Sequence, residues 1–91
     1  MVLRFVKKFM NDPSFAELTA ALDSASAEDA FRASHTLKGV CQNLAFTRLA
    51  DSASRITELL RGTSDISSAM SVLPEVKADY ESVINAIREL D

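Results

Sequence analysis

The 91-residue chain has one cysteine, one histidine, one tyrosine, two glycines, two prolines and no tryptophan. Each scarcity excludes something. A single cysteine, Cys41, cannot build an internal disulfide framework. With one histidine beside it, there is no ligand set for a structural zinc. Two glycines and two prolines leave little material for the tight turns of an all-β fold. No apolar run approaches the roughly 18 residues that a membrane span needs. The opening Met1–Lys8 stretch is too short in apolar length and too broken by charge to be a secretory signal. What is present is 47% hydrophobic and 25% charged residues, which is ordinary globular usage. Residues 1–91 therefore read as one small helical domain, soluble and cytoplasmic.

Charge is unevenly placed. Residues 1–29 carry 3 basic and 5 acidic side chains, and residues 63–91 carry 2 and 6. Residues 30–62 carry 5 basic (Arg32, Lys38, Arg48, Arg55, Arg61) against 2 acidic (Asp51, Glu58). The middle third is a basic island, +3, in a protein of net charge −3. An acidic chain without a basic-aromatic surface pattern is not expected to bind nucleic acid.

The apolar spacing predicts five helices. In the first, Val2, Phe5, Val6 and Phe9 oppose Arg4, Lys7, Lys8 and Asn11. Asp12-Pro13 ends it and starts the second, with Asp12 as N-cap and Pro13 at the first helical position. That helix carries Phe15, Leu18 and Leu22 and ends near Ser24. Ser26 with Asp29 forms a capping-box-like start for a third helix running to about Leu44. Thr47 is the expected N-cap of the fourth, whose stripe is Leu49, Ala53, Ile56 and Leu60 and whose stop is Gly62. The last segment repeats Ile66, Ala69, Leu73, Val76, Tyr80, Val83, Ile87 and Leu90 at alternating steps of three and four. The phase survives Pro74, which predicts one kinked helix from about Asp65 to Glu89. The expected fold is all-α: an antiparallel up-down four-helix bundle with one short extra N-terminal helix.

Advancing 100° per residue from His35 separates the Ser26–Leu44 helix into two faces. Ala30, Ala33, Leu37, Val40, Cys41 and Leu44 share an arc between about 140° and 240° and form the core face. Phe31, Arg32, Lys38, Gly39 and Gln42 fall within about 60° of His35 on the opposite side. The histidine is thus expected on the exposed face. Gly39 costs the helix about 1 kcal/mol against alanine there. Lys38 is one turn from His35, close enough to share an anionic ligand. With no triad and no phosphate-cradling glycine loop, the chemistry left to His35 is that of a lone nucleophilic imidazole able to carry a covalent group.

Ala33-Ser34-His35-Thr36-Leu37-Lys38-Gly39 resembles the His-x-x-Lys-Gly signature of histidine-containing phosphotransfer (HPt) domains. Asn43–Ala50 is similar to the family's next stretch, and the likeness spans roughly residues 5–90, strongest over 30–62. The resemblance implies a phosphocarrier of a multistep phosphorelay, not an autonomous enzyme. His35 would accept the phosphoryl group and Lys38 would offset its charge. Gly39 would leave clearance for docking. The implied partners are response-regulator receiver domains and a hybrid histidine kinase. The receiver brings Mg²⁺, so the chain itself needs no metal or cofactor, and it is expected to act as a monomer. Acidic receiver pockets give the basic island a use.

This chain departs from the family pattern at two positions. Ala45 stands where a glycine usually closes the helix, so it must take a left-handed turn at about 1 kcal/mol or find another. Thr57 stands 22 residues after the histidine, where many members hold the imidazole with Gln or Glu. Thr57, or Glu58 beside it, is therefore expected within reach of His35. Phe31 either packs beneath the first helix or centres a docking patch with Gly39 and Gln42, rimmed by Arg32 and Lys38. Two other functions share this helix pattern. One is the phosphoacceptor domain of a chemotaxis-type histidine kinase; the other is a helical interaction module without phosphotransfer.

Overall fold

Backbone hydrogen bonds divide residues 6–89, those that the computed structural model describes, into a short helical entry and four α-helices. Residues 6–8 are helical and tighten into a 3₁₀ turn at Phe9–Asn11. Then come α1 (Ser14–Asp23), α2 (Ala27–Asn43), α3 (Thr47–Leu60) and α4 (Ser67–Arg88). No strand occurs among the described residues. Val2, Arg4, Phe5 and Leu90, assigned to helices from the sequence, lie outside them.

The helix starts follow local chemistry. Pro13 holds the cap position of α1 and Ser14 is its first residue, one step later than expected, because the Pro13 carbonyl accepts the first helical bond, from the Glu17 N–H. The extended Asp12 still serves the helix start, its carboxylate accepting from the Ser14 backbone N–H at 2.8 Å. Ser26 caps α2 by accepting from the Asp29 N–H at 3.4 Å. The return half of a capping box is missing, because the Ser26 N–H already donates to the Ala21 carbonyl at 2.8 Å. That bond closes α1 in a Schellman turn, with Ala25 left-handed at φ 57°. The end of α2 repeats the device. Ala45 sits at φ 61°, its N–H on the Gln42 carbonyl, while the Phe46 N–H reaches the Cys41 carbonyl at 2.9 Å. Alanine takes the strained turn that glycine would take freely.

This closure corrects the expectation for Thr47. It is the first residue of α3 and not its cap; Phe46 holds the cap position and offers no side-chain bond. Ala45 and Phe46 are consumed in ending α2, so α3 begins at once. Gly62, at φ 66°, turns the chain after α3, and Asp65 accepts from the Ser67 N–H at 2.9 Å before α4. Pro74 lies inside α4 without breaking it, as the uninterrupted repeat predicts. Both Pro74 and Met70, whose carbonyl loses its donor, are exposed to water.

Each helix packs on the next, α1 on α2, α2 on α3 and α3 on α4. Phe15 of α1 closes the ring by stacking on Tyr80 of α4 at 4.2 Å. Phe9, 1% exposed, plugs the end of the bundle against Phe46 and Tyr80, at 5.2 and 5.7 Å between centroids. Leu18, Leu37, Leu49, Ala53, Ile56, Leu60, Val76 and Ile87 fill the interior. Burying a side chain of the larger kinds contributes about 1.5–3 kcal/mol. Arg55 of α3 pairs with Glu75 of α4 on the outside.

Candidate functional site

The middle of α2 presents two faces, as the helical wheel predicts. Ala30, Ala33, Leu37 and Cys41 are buried, and Val40 and Leu44 are half-buried at the core edge. Burial pushes the Cys41 thiol up to about 12, with the Asp12 carboxylate adding to the effect. His35, Gly39, Gln42 and Arg32 are exposed, and Lys38 is half-buried. The buried arc is wider than the sequence suggests, because it includes Ser34, whose hydroxyl donates to the Phe31 carbonyl at 3.0 Å.

That wider arc changes the reading of Phe31. Its ring is half-buried and packs against the core, so it is not a free surface aromatic. The Arg61 guanidinium, just past the end of α3, lies over the ring with Cζ 5.1 Å from the centroid. One turn along α2, the His35 imidazole lies parallel to the same ring, with centroids 6.1 Å apart and planes 11° apart. Arg61 is tied in turn to Glu58, its Nη2 2.9 Å from Oε2 and its Nε 3.3 Å from both carboxylate oxygens. The Arg61 guanidinium holds the Glu58 carboxyl below the usual carboxylate range, and Lys38 adds to that pull.

The two candidates for holding the imidazole do something else. Thr57 is fully buried, and its hydroxyl donates to the Ala53 carbonyl at 2.6 Å, one turn back in α3. A short β-branched side chain on the core side of its helix satisfies itself on its own backbone. Glu58, exposed, is engaged by Arg61. Among the described residues neither forms a hydrogen bond to His35.

Around the imidazole the surface is open. A methyl group placed on Gly39 meets no atom within 4 Å. Lys38 forms no ion pair among the described residues, whereas Arg32 is paired with Glu28 on its own helix. No cluster of three His, Cys, Asp or Glu side chains converges as a metal site among the described residues. No helix among them is long and apolar enough to cross a membrane. The arrangement is therefore one accessible nucleophile, a cation one turn away, and a gap in the side-chain cover beside it.

A family model, the Hpt domain, matches residues 10–86. The chain belongs to the Hpt domain family. Membership carries a histidine phosphotransfer role in phosphorelays, as a phosphocarrier that works with receiver and kinase domains. It also accounts for the helical bundle. No curated protein and no solved structure matches the chain. Within this Hpt domain the structure brings together Phe31, His35, Glu58 and Arg61, with Lys38 close enough to act on Glu58. Thr57 is left in the core. Arg61 had only one signal in the sequence, its place in the basic island.

Proposed function

We propose that His35 is the phosphoacceptor of this Hpt domain, exchanging a phosphoryl group with the aspartates of receiver domains. A lone pair on an imidazole nitrogen attacks the phosphorus of an aspartyl phosphate. The N–P bond forms, the P–O bond to the aspartate breaks, and the carboxylate leaves; the reverse step loads a second receiver. Lys38 offsets the phosphoryl charge on His35. Gly39 gives the receiver's active-site rim a close approach, and Arg32 and Gln42 border that contact. Acidic receiver pockets complement the basic middle of the chain. The protein acts as a cytoplasmic monomer between a hybrid histidine kinase and its receivers.

The observation that carries this reading is the exposed His35 beside open space at Gly39, in a chain matched by the Hpt family over residues 10–86. The test is incubation with a panel of phosphorylated receivers and Mg²⁺, followed by mass spectrometry. The expected result is one acid-labile, base-stable phosphate on the chain. Labelling only by a kinase catalytic domain with ATP, and by no receiver, would instead assign it to a kinase's phosphoacceptor domain. No labelling from either source, with mass that rises with concentration, would make it an interaction module.

A further inference from the structure

We propose that Phe31, held in place by Arg61, orients the His35 imidazole in this protein, where no side chain among the described residues gives the ring a hydrogen bond. The proposal rests on His35 being the phosphoacceptor. An exposed histidine is free to turn about two side-chain torsions, and a nucleophile must present one nitrogen along one line to the phosphorus. Something has to limit that freedom. Thr57 and Glu58 do not, since their polar atoms are committed to Ala53 and Arg61.

Among the described residues, the ring stacked beside the imidazole is Phe31. The spacing of four residues puts the two side chains on one face of α2. Their near-parallel planes and 6.1 Å separation are those of an offset stacked pair. Such a contact limits the tilt of the imidazole only if the phenyl ring is itself fixed. Three things fix it. Its inner edge packs on the core, the Arg61 guanidinium covers it at 5.1 Å, and Glu58 anchors that guanidinium through both carboxylate oxygens. A chain of contacts thus runs from α3 to the nucleophile: Glu58 to Arg61, Arg61 to Phe31, Phe31 to His35. Phe31 and Arg61 are positioning residues; neither is asked to touch the phosphoryl group.

The test compares Phe31→Leu, Phe31→Tyr and Arg61→Met with the wild type, using the phosphorylated receiver that labels the wild type fastest. In wild type and Phe31→Tyr, the ring current should displace the His35 ring-proton resonances from the positions of free histidine. In Phe31→Leu they should return towards those positions. The transfer rate at saturating receiver should fall about two- to tenfold in Phe31→Leu, the factor that loss of one aromatic pair supports. The half-saturating receiver concentration should stay the same, and Phe31→Tyr should transfer at the wild-type rate. Arg61→Met, which leaves Phe31 in place, should move both readouts in the direction of Phe31→Leu and serves if that variant does not fold. A raised half-saturating concentration with an unchanged maximal rate would make Phe31 a docking anchor and overturn the proposal. So would unchanged His35 resonances in Phe31→Leu. Failure of wild-type labelling would overturn the phosphoacceptor reading itself, a result distinct from labelled wild type with an indifferent Phe31→Leu.

Discussion

Gly39 lies four residues after His35 on the exposed face of α2, and a side chain there would meet nothing in the folded protein. The glycine is therefore not required by packing, and its backbone is ordinary helix. It weakens α2 by about 1 kcal/mol relative to alanine. A residue that costs stability and relieves no internal clash leaves room for something outside. Gly39→Ala should melt a few degrees higher than wild type, while phosphoryl transfer from a receiver slows. Thermal unfolding and transfer kinetics on the same preparation check both. A stabilised variant with unchanged transfer would show that the gap has no use.

Lys38 invites a charge test, because no carboxylate pairs with it among the described residues. Lys38→Ala should slow transfer roughly tenfold, as expected for loss of one charge-assisted contact to phosphate. Lys38→Glu should be slower still, since like charge then faces the incoming phosphoryl group. Stability should change little in either. Equal transfer by wild type and Lys38→Glu would remove Lys38 from the site.

Ala25 and Ala45 end α1 and α2 in the same left-handed turn, at φ 57° and 61°. An L-residue in that region carries a penalty of roughly 1 kcal/mol that glycine escapes. Ala25→Gly and Ala45→Gly should each raise the unfolding free energy by up to about that amount. The two sites are separate turns, so the double variant should give close to the sum. Urea denaturation measures it; destabilised variants would mean that the turns are held by more than their backbone angles.

The buried Cys41 thiol predicts an alkaline loss of stability. A free thiol ionises near 8.5, whereas in the folded chain burial holds the proton until about 12. Between these values the unfolded state binds fewer protons, so stability falls as pH rises. The slope from this one group is about 1.4 kcal/mol per pH unit. Below pH 8 the contribution is fully present. Cys41→Ala should be less sensitive than wild type between pH 9 and 10.5, because it lacks the buried thiol. Parallel stability curves would place the thiol in contact with water.

The fold was legible because its signals are local. Asp12-Pro13, Ser26 and Gly62 mark helix ends through their own side chains or their own backbone freedom. The three-four repeat of α4 outweighed Pro74, whose lost hydrogen bond falls on a face that water reaches. Thr47 misled, because a threonine before an apolar stripe looks like a cap whether or not the preceding helix leaves room for one. At the site, the wheel placed His35, Gly39 and Gln42 on the open side, since a single helix determines that. The surroundings of Phe31 and the commitment of the Thr57 hydroxyl were not read from the sequence. What covers Phe31 is Arg61, thirty residues later, and what satisfies Thr57 is its own helix. No spacing within one helix encodes the first. The second is such a spacing, since Thr57 follows Ala53 of the core stripe by four residues and its hydroxyl reaches the carbonyl one turn back.

Phosphoryl transfer through this domain turns on His35, and the most direct measurement compares wild type with His35→Gln after exposure to a phosphorylated receiver and Mg²⁺. Peptide mapping of the wild type should place the phosphate on His35 alone. His35→Gln should carry none, with the same helix content and nearly the same melting temperature, because the imidazole lies outside the core. Phosphate remaining on the His35→Gln chain would contradict the account.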